Sequence, residues 1–208
     1  MERVACFIDG FNLYHAIARL GQPHLKWVDL WALAERYVRP RSQRLEAVHY
    51  FSAYAEWLPA ACDRHAAFIA AQRARGVRPV MGRFKRKDRW CPLCRGRSVG
   101  HEEKETDVNI ALHLLDGAYR DEFDRALLVS RESDLTPAMR LLRERFPGKG
   151  LTLVAPPLAG HSTEMLRWCT GRTKIRLEHL AGALLPAVVL DSEGRVVATR
   201  PRTYSPTW

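Results

Sequence analysis

Strand-like and helix-like segments alternate along most of this 208-residue sequence, and that alternation leaves the chain few architectures. Residues 4–8, 45–53, 77–84, 125–130 and 151–155 are short apolar runs rich in β-branched and aromatic side chains. A helix is expected to begin near Asn12, and residues 27–38, 59–75, 106–119, 136–146 and 162–169 read as further helices. Strands that take turns with helices predict an α/β, three-layer, Rossmann-like fold: a central parallel sheet with helices on both faces. In such sheets ligands sit beyond the carboxyl ends of the strands, so chemistry is sought there.

Two of those strand ends carry acids. The first run delivers Asp9 straight after Phe7-Ile8, and the fourth is followed by Ser130-Arg131-Glu132-Ser133-Asp134. Asp107 lies in the first turn of the helix predicted from residue 106, behind Glu103 and Glu105. If the first and fourth strands are neighbours, these carboxylates converge. Converging carboxylates resist ionising together, and a hard divalent cation such as Mg²⁺ or Mn²⁺ relieves that cost. A water held there is a nucleophile suited to a phosphodiester. Asn12, one turn from Asp9, adds a neutral polar group, and Ser130 and Ser133 are placed to hydrogen-bond a carboxylate or a phosphate. Each acid also has a purely structural explanation: Asp107 complements a helix dipole and Asp134 suits a helix N-cap. Their joint occurrence at these elements is what points to a site.

The formal net charge is +10, which favours a polyanionic partner. Cations concentrate in residues 83–101, a basic, cysteine-bearing insert with no clear period. Arg83, Lys85, Arg86, Lys87 and Arg89 interleave there with Phe84 and Trp90, as suits a single-stranded backbone with a base stacked on an aromatic ring. Cys91 and Cys94 have the spacing of half a zinc knuckle. A structural Zn²⁺ site would need His101 as third ligand and Cys62 or His65 as fourth; two free thiols is the reading that a lone pair favours. The cysteine count is odd and Cys6, Cys62 and Cys169 stand singly, unlike a secreted disulfide framework. No export signal is read at the N-terminus, and the longest apolar stretch, 180–190, is interrupted by Pro186, so no membrane association and a cytoplasmic location are expected.

Three stretches carry a resemblance: Phe7-Ile8-Asp9-Gly10-Phe11-Asn12-Leu13, Glu103-Lys104-Glu105-Thr106-Asp107-Val108, and Val129-Ser130-Arg131-Glu132-Ser133-Asp134. Together they resemble the NYN domain family, PIN-like ribonucleases related to the LabA proteins, over roughly the first 155 residues. The resemblance implies a PIN-type fold, a Mg²⁺ or Mn²⁺ site and cleavage of RNA. On it, Asp9, Asp107 and Asp134 look like metal-binding acids, with Asn12 as the motif asparagine and Glu132 as an auxiliary acid. The family usually reads Ser-Gly-Asp-Ser-Asp where this chain has Arg131 and Glu132, and has glycine where Glu105 stands. Arg131 is then a candidate phosphate contact.

A nuclease domain over residues 1–180 and a C-terminal extension over 181–208 are therefore expected. Residues 187–190 and 195–199 in that extension have hairpin character. Tyr204 and Trp208 suit packing on the core or on a second subunit, which leaves a homo-oligomer open. Competing functions are an RNA-binding module without cleavage, with Arg131 and Glu132 in its favour, and a nuclease acting on DNA. A phosphoaspartate enzyme is disfavoured because the first strand ends Asp-Gly-Phe-Asn rather than Asp-x-Asp, and a dinucleotide enzyme because no G-x-G-x-x-G follows it.

Overall fold

The computed structural model describes residues 1–90, 93, 94 and 96–206. Its centre is a six-stranded sheet built from β1 (Glu2–Asp9), β2 (Gln43–Ser52), β3 (Arg78–Met81), β6 (Arg125–Val129), β7 (Gly150–Ala155) and β8 (Gly171–Lys174). The spatial order is β3-β2-β1-β6-β7-β8, and every neighbouring pair is parallel. The chain first steps outward from β1 to β3, then returns to lay β6 on the other side of β1. The strand order thus reverses between β1 and β6, the position at which a parallel α/β sheet opens a crevice beyond its strand ends.

Alternation along β1 assigns its side chains to two cores. Val4, Cys6 and Ile8 face α1 (Gly10–Ala18), α2 (Leu30–Glu35) and α3 (Pro59–Ala74). Ala5 and Phe7 face α4 (Thr106–Tyr119) and α5 (Thr136–Arg145). Because both faces are covered, the strands read as near-continuous apolar runs rather than alternating ones. Phe7 and Phe51 flank His49 in a stack with centroids 5.2 and 6.2 Å from its ring, and burial drives that imidazole down to about 4.

Close packing of α1 on the sheet depends on Gly10. A Cβ there would lie 2.6 Å from the Phe51 carbonyl and 2.7 Å from the Tyr50 ring, so any side chain would push the helix off the strand ends.

Three sequence expectations need correction, and one strand was not anticipated. The helix expected over 27–38 is a 3-10 turn (Pro23–Trp27) followed by the shorter α2, because Asp29 turns back to cap it, accepting from Ala32 N at 3.0 Å. The run 77–84 is two strands, not one: β3 ends at Met81, and Gly82 diverts the chain into β4 (Arg83–Trp90). The aperiodic insert is an antiparallel hairpin of β4 with β5 (Arg97–Lys104). Gly82 is needed at its base, since a Cβ there would sit 2.6 Å from the Lys104 carbonyl. Lastly, β8 is a strand that apolar periodicity does not reveal: its Gly-Arg-Thr-Lys sequence is partly or fully exposed at the sheet edge.

Residues beyond the short helices α6 (Thr163–Leu166) and α7 (Leu177–Ala181) return to the α1–α3 face. The hairpin of β9 (Val188–Leu190) and β10 (Val196–Thr199) places Val189 and Ala198 in that core, together with Leu185 and Tyr204. Trp27, fully buried, donates its indole N–H to the Pro186 carbonyl at 2.9 Å. Among the described residues no helix is long and apolar enough to cross a membrane.

Candidate active site

The β1 and β6 strands pair directly, Ile8 against Val129, so their next residues, Asp9 and Ser130, emerge side by side at the crevice. Asp9 is 2% exposed and is held on three sides. It caps α1, accepting from Asn12 N at 3.0 Å; the Asn12 side-chain amide donates to it at 2.6 Å, and the Ser130 hydroxyl at 2.9 Å. The same Ser130 oxygen accepts from Glu132 N at 3.0 Å, and Asn12 Oδ1 accepts from Arg131 N at 3.2 Å. These bonds tie the turn after β6 to the start of α1. Asp9, Asn12, Ser130, Arg131 and Glu132, two separate stretches of the sequence, are one connected network in space.

Around this network the acids sense one another. Burial raises the Asp9 carboxyl above its ordinary range, with Glu132 pushing the same way against the lowering hydrogen bonds. Asp107, from the first turn of α4, is raised by burial and by the charges of Asp9 and Asp134. Glu132 is raised by burial and by Asp107 and Asp134. Asp9, Asp107, Glu132 and Asp134 thus lie near enough for their charges to bear on one another.

Glu103, at the end of β5, also belongs to this group. Burial, followed by the charges of Asp9, Asp107 and Glu132, lifts it to about 7. Its Oε1 and the Thr106 hydroxyl are buried, and the Thr106 side chain opposes the rise. The sequence signal was available in the acid pair Glu103 and Glu105, but Glu103 takes its place through the hairpin, which periodicity did not reveal. Glu105 points elsewhere and pairs with Arg83 at 2.7 Å. Its backbone is left-handed, with φ of 80°, which accounts physically for a glycine preference at that position.

Several buried or half-buried carboxylates with raised proton affinity form a donor set whose charge and hardness suit a divalent cation. Among the described residues, no group of three or more His, Cys, Asp or Glu side chains is drawn tightly enough together to hold a metal ion as it stands.

The hairpin rises beside this crevice, since β5 runs into α4 through Glu105. Alternation puts Lys85, Lys87 and Arg89 on one face of β4 and Phe84, Arg86 and Trp90 on the other. Phe84 anchors the base edge-on to Phe11 at 5.4 Å and to Trp57 at 4.6 Å. Trp90 is 57% exposed and is not packed on the core. Some of the cations are already engaged: Arg83 by Glu105, Lys87 by Glu102 at 3.2 Å, and Arg86 by Asp88 at 3.7 Å. Lys85, Arg89 and Arg131 have no carboxylate partner among the described residues. Of the expected zinc ligands, Cys91 lies outside the described residues, Cys94 is exposed, and the His101 ring stacks flat on Trp57 at 3.7 Å.

A family model, the NYN domain, matches residues 3–172. Among curated proteins, 6-hydroxy-3-succinoylpyridine 3-monooxygenase HspA of Pseudomonas putida is 25% identical, over 97% of this chain and 75% of that protein. Among solved structures, a protein of unknown function from Vibrio parahaemolyticus superposes with a TM-score of 0.57 at 18% identity, covering 88% of this chain and 96% of that one. The likeness to that structure supports the α/β fold alone.

Proposed function

The chain belongs to the NYN domain family, a PIN-like nuclease family, and on that premise we propose that it is a metal-dependent ribonuclease working in the cytoplasm. The observation that carries the reading is the cluster of mutually raised carboxylates at the β1/β6 switch point, knitted together by Asp9, Asn12 and Ser130.

In this reading Asp9, Asp107 and Asp134 hold Mg²⁺ or Mn²⁺, with Glu132 as an auxiliary ligand. When bound, the cation supplies Lewis acidity at the phosphoryl oxygens and eases deprotonation of a water. The protein's own part is positional. Ser130 and Asn12 fix the Asp9 carboxylate, and the Asn12 carbonyl, held by Arg131 N, fixes the turn that carries Glu132. Lys85, Arg89 and Arg131 meet the backbone phosphates, and exposed Trp90 offers a stacking surface for a base. Incubating labelled single-stranded RNA and matched DNA with the protein in Mn²⁺, Mg²⁺ or EDTA tests this. Metal-dependent loss of the RNA supports it; binding without cutting would replace it with an RNA-binding module, and preference for DNA would change the substrate.

The curated relative's name motivates a second reading, oxygenation of a small aromatic compound. The observation on this chain in its favour is an aromatic-lined cavity beside α1. Oxygen uptake on adding a small aromatic acid and a reductant, unaffected by RNA, would support it over the nuclease.

A further inference from the structure

The α1–α3 face of the sheet holds a cavity that the acidic site does not use. Asp9 bonds to Ser130 and does not line the cavity, which lies between α1, α3 and the end of β2 and starts at Gly10 and Phe11. Its volume is about 310 Å³, at the small end of ligand pockets and enough for one or two rings.

The interior is apolar. Leu13, Ile17, Val28, Leu30 and Phe68 are all buried and line it, and Tyr204 reaches in from the C-terminal turn. Two polar features stand out. His65 lines the cavity, and its Nε2 is buried without a hydrogen-bond partner. Burial pushes that imidazole down to about 4, so it is neutral and able to donate or accept. At the rim are two cations, Lys26 and Arg64. The Lys26 ammonium rests 4.7 Å from the Tyr14 ring centroid and 3.4 Å from its hydroxyl. Neither cation has a carboxylate partner among the described residues.

An apolar interior with unpaired cations at its mouth is complementary to a molecule with a flat apolar body and an anionic end. We infer that this cavity binds a small aromatic carboxylate, its ring among Leu13, Ile17 and Phe68, its anionic group at Lys26 and Arg64, and a ring substituent within reach of His65. A nucleobase is the less suitable occupant. Its edge carries several donors and acceptors that would have to be desolvated among the apolar side chains of Leu13, Ile17 and Phe68, whereas an aromatic carboxylate keeps its charge at the rim. The inference concerns the same cavity as the oxygenation reading but needs no turnover there, and it stands whether or not the acidic site cuts RNA, because Asp9, Asp107, Glu132 and Asp134 are not among the residues that line the cavity.

Titration calorimetry with indole-3-acetate, its uncharged analogue indole-3-acetamide and adenosine monophosphate tests the inference. Saturable one-to-one binding of the acid is expected, about tenfold weaker for the amide and for Lys26→Glu, which corresponds to about 1.4 kcal/mol. Ala61→Trp, which fills the cavity from the partly exposed start of α3, should abolish it. If that variant fails to fold, the rim variant Lys26→Glu carries the test. No saturable binding, or equal binding of acid and amide, would overturn the inference. Preferential binding of the nucleotide would overturn it in favour of a base pocket.

Discussion

The Ser130 hydroxyl donates to the Asp9 carboxylate at 2.9 Å across the β1/β6 pair, while its oxygen accepts from Glu132 N at 3.0 Å. One fully buried side chain thereby holds an acid from the first strand and the loop bearing two acids from the fourth run of the sequence. Ser130→Ala should leave the Asp9 oxygen and the Glu132 N–H short of a partner, costing about 1–3 kcal/mol of stability. Chemical denaturation measures it, and RNA cleavage should fall with it because Asp9 is less well fixed. A variant as stable and as active as the wild type would show that the bond has no organising role.

Glu105 occupies a left-handed backbone position, which costs a side-chain-bearing residue about 1–2 kcal/mol. Its ion pair with Arg83 is exposed on both sides and offsets little of that. Glu105→Gly is expected to stabilise the protein by about 1 kcal/mol, read as a raised denaturation midpoint at an unchanged slope.

Acid should weaken the fold through its two neutral, buried histidines. His49 faces Phe7, Phe51, His113 and Arg78, and His65 faces Tyr50 and Tyr54; both are depressed from 6.5 to about 4. A depressed pKa in the folded state means stability that is present above pH 6.5 and drains away as pH falls toward 4. His49→Phe keeps a ring in the stack and should flatten the loss over that range. Melting temperatures at pH 7, 5.5 and 4.5 for both proteins check it.

Hairpin cations that meet a single strand release counterions, each contributing about 0.7 to the slope of log K against log salt. The double variant Lys85→Ala, Arg89→Ala should bind RNA more weakly and with a slope shallower by about 1.4. Altering Arg83, already paired with Glu105, should change the slope less.

The core of this fold was legible in sequence because its strands are buried on both faces. Residues 4–8 and 125–130 announce themselves by composition, and Asp9 stands out as an acid ending an apolar strand. The legible part ends where burial ends. The β4–β5 hairpin is mostly solvated, so no apolar alternation marks it, and edge strand β8 carries no apolar signal for the same reason. Glu103 went unrecognised with them, because its closeness to Asp9 and Asp107 is set by the hairpin's return and not by any spacing along the chain. The cavity at His65 is likewise assembled from α1, α3, β2 and the C-terminal turn, whose separation in sequence hides it.

On the proposed function, Asp9 anchors a metal-dependent site that cuts RNA. Asp9→Asn keeps one oxygen to cap α1 and removes the charge, but its amide faces the donors of Asn12 or Ser130, so cleavage is read on protein shown to be folded. Cleavage of labelled single-stranded RNA in Mn²⁺ should drop by at least a hundredfold, with RNA affinity close to wild type and a melting temperature that still leaves the variant folded under the assay conditions. Undiminished cleavage by the folded variant would contradict the claim.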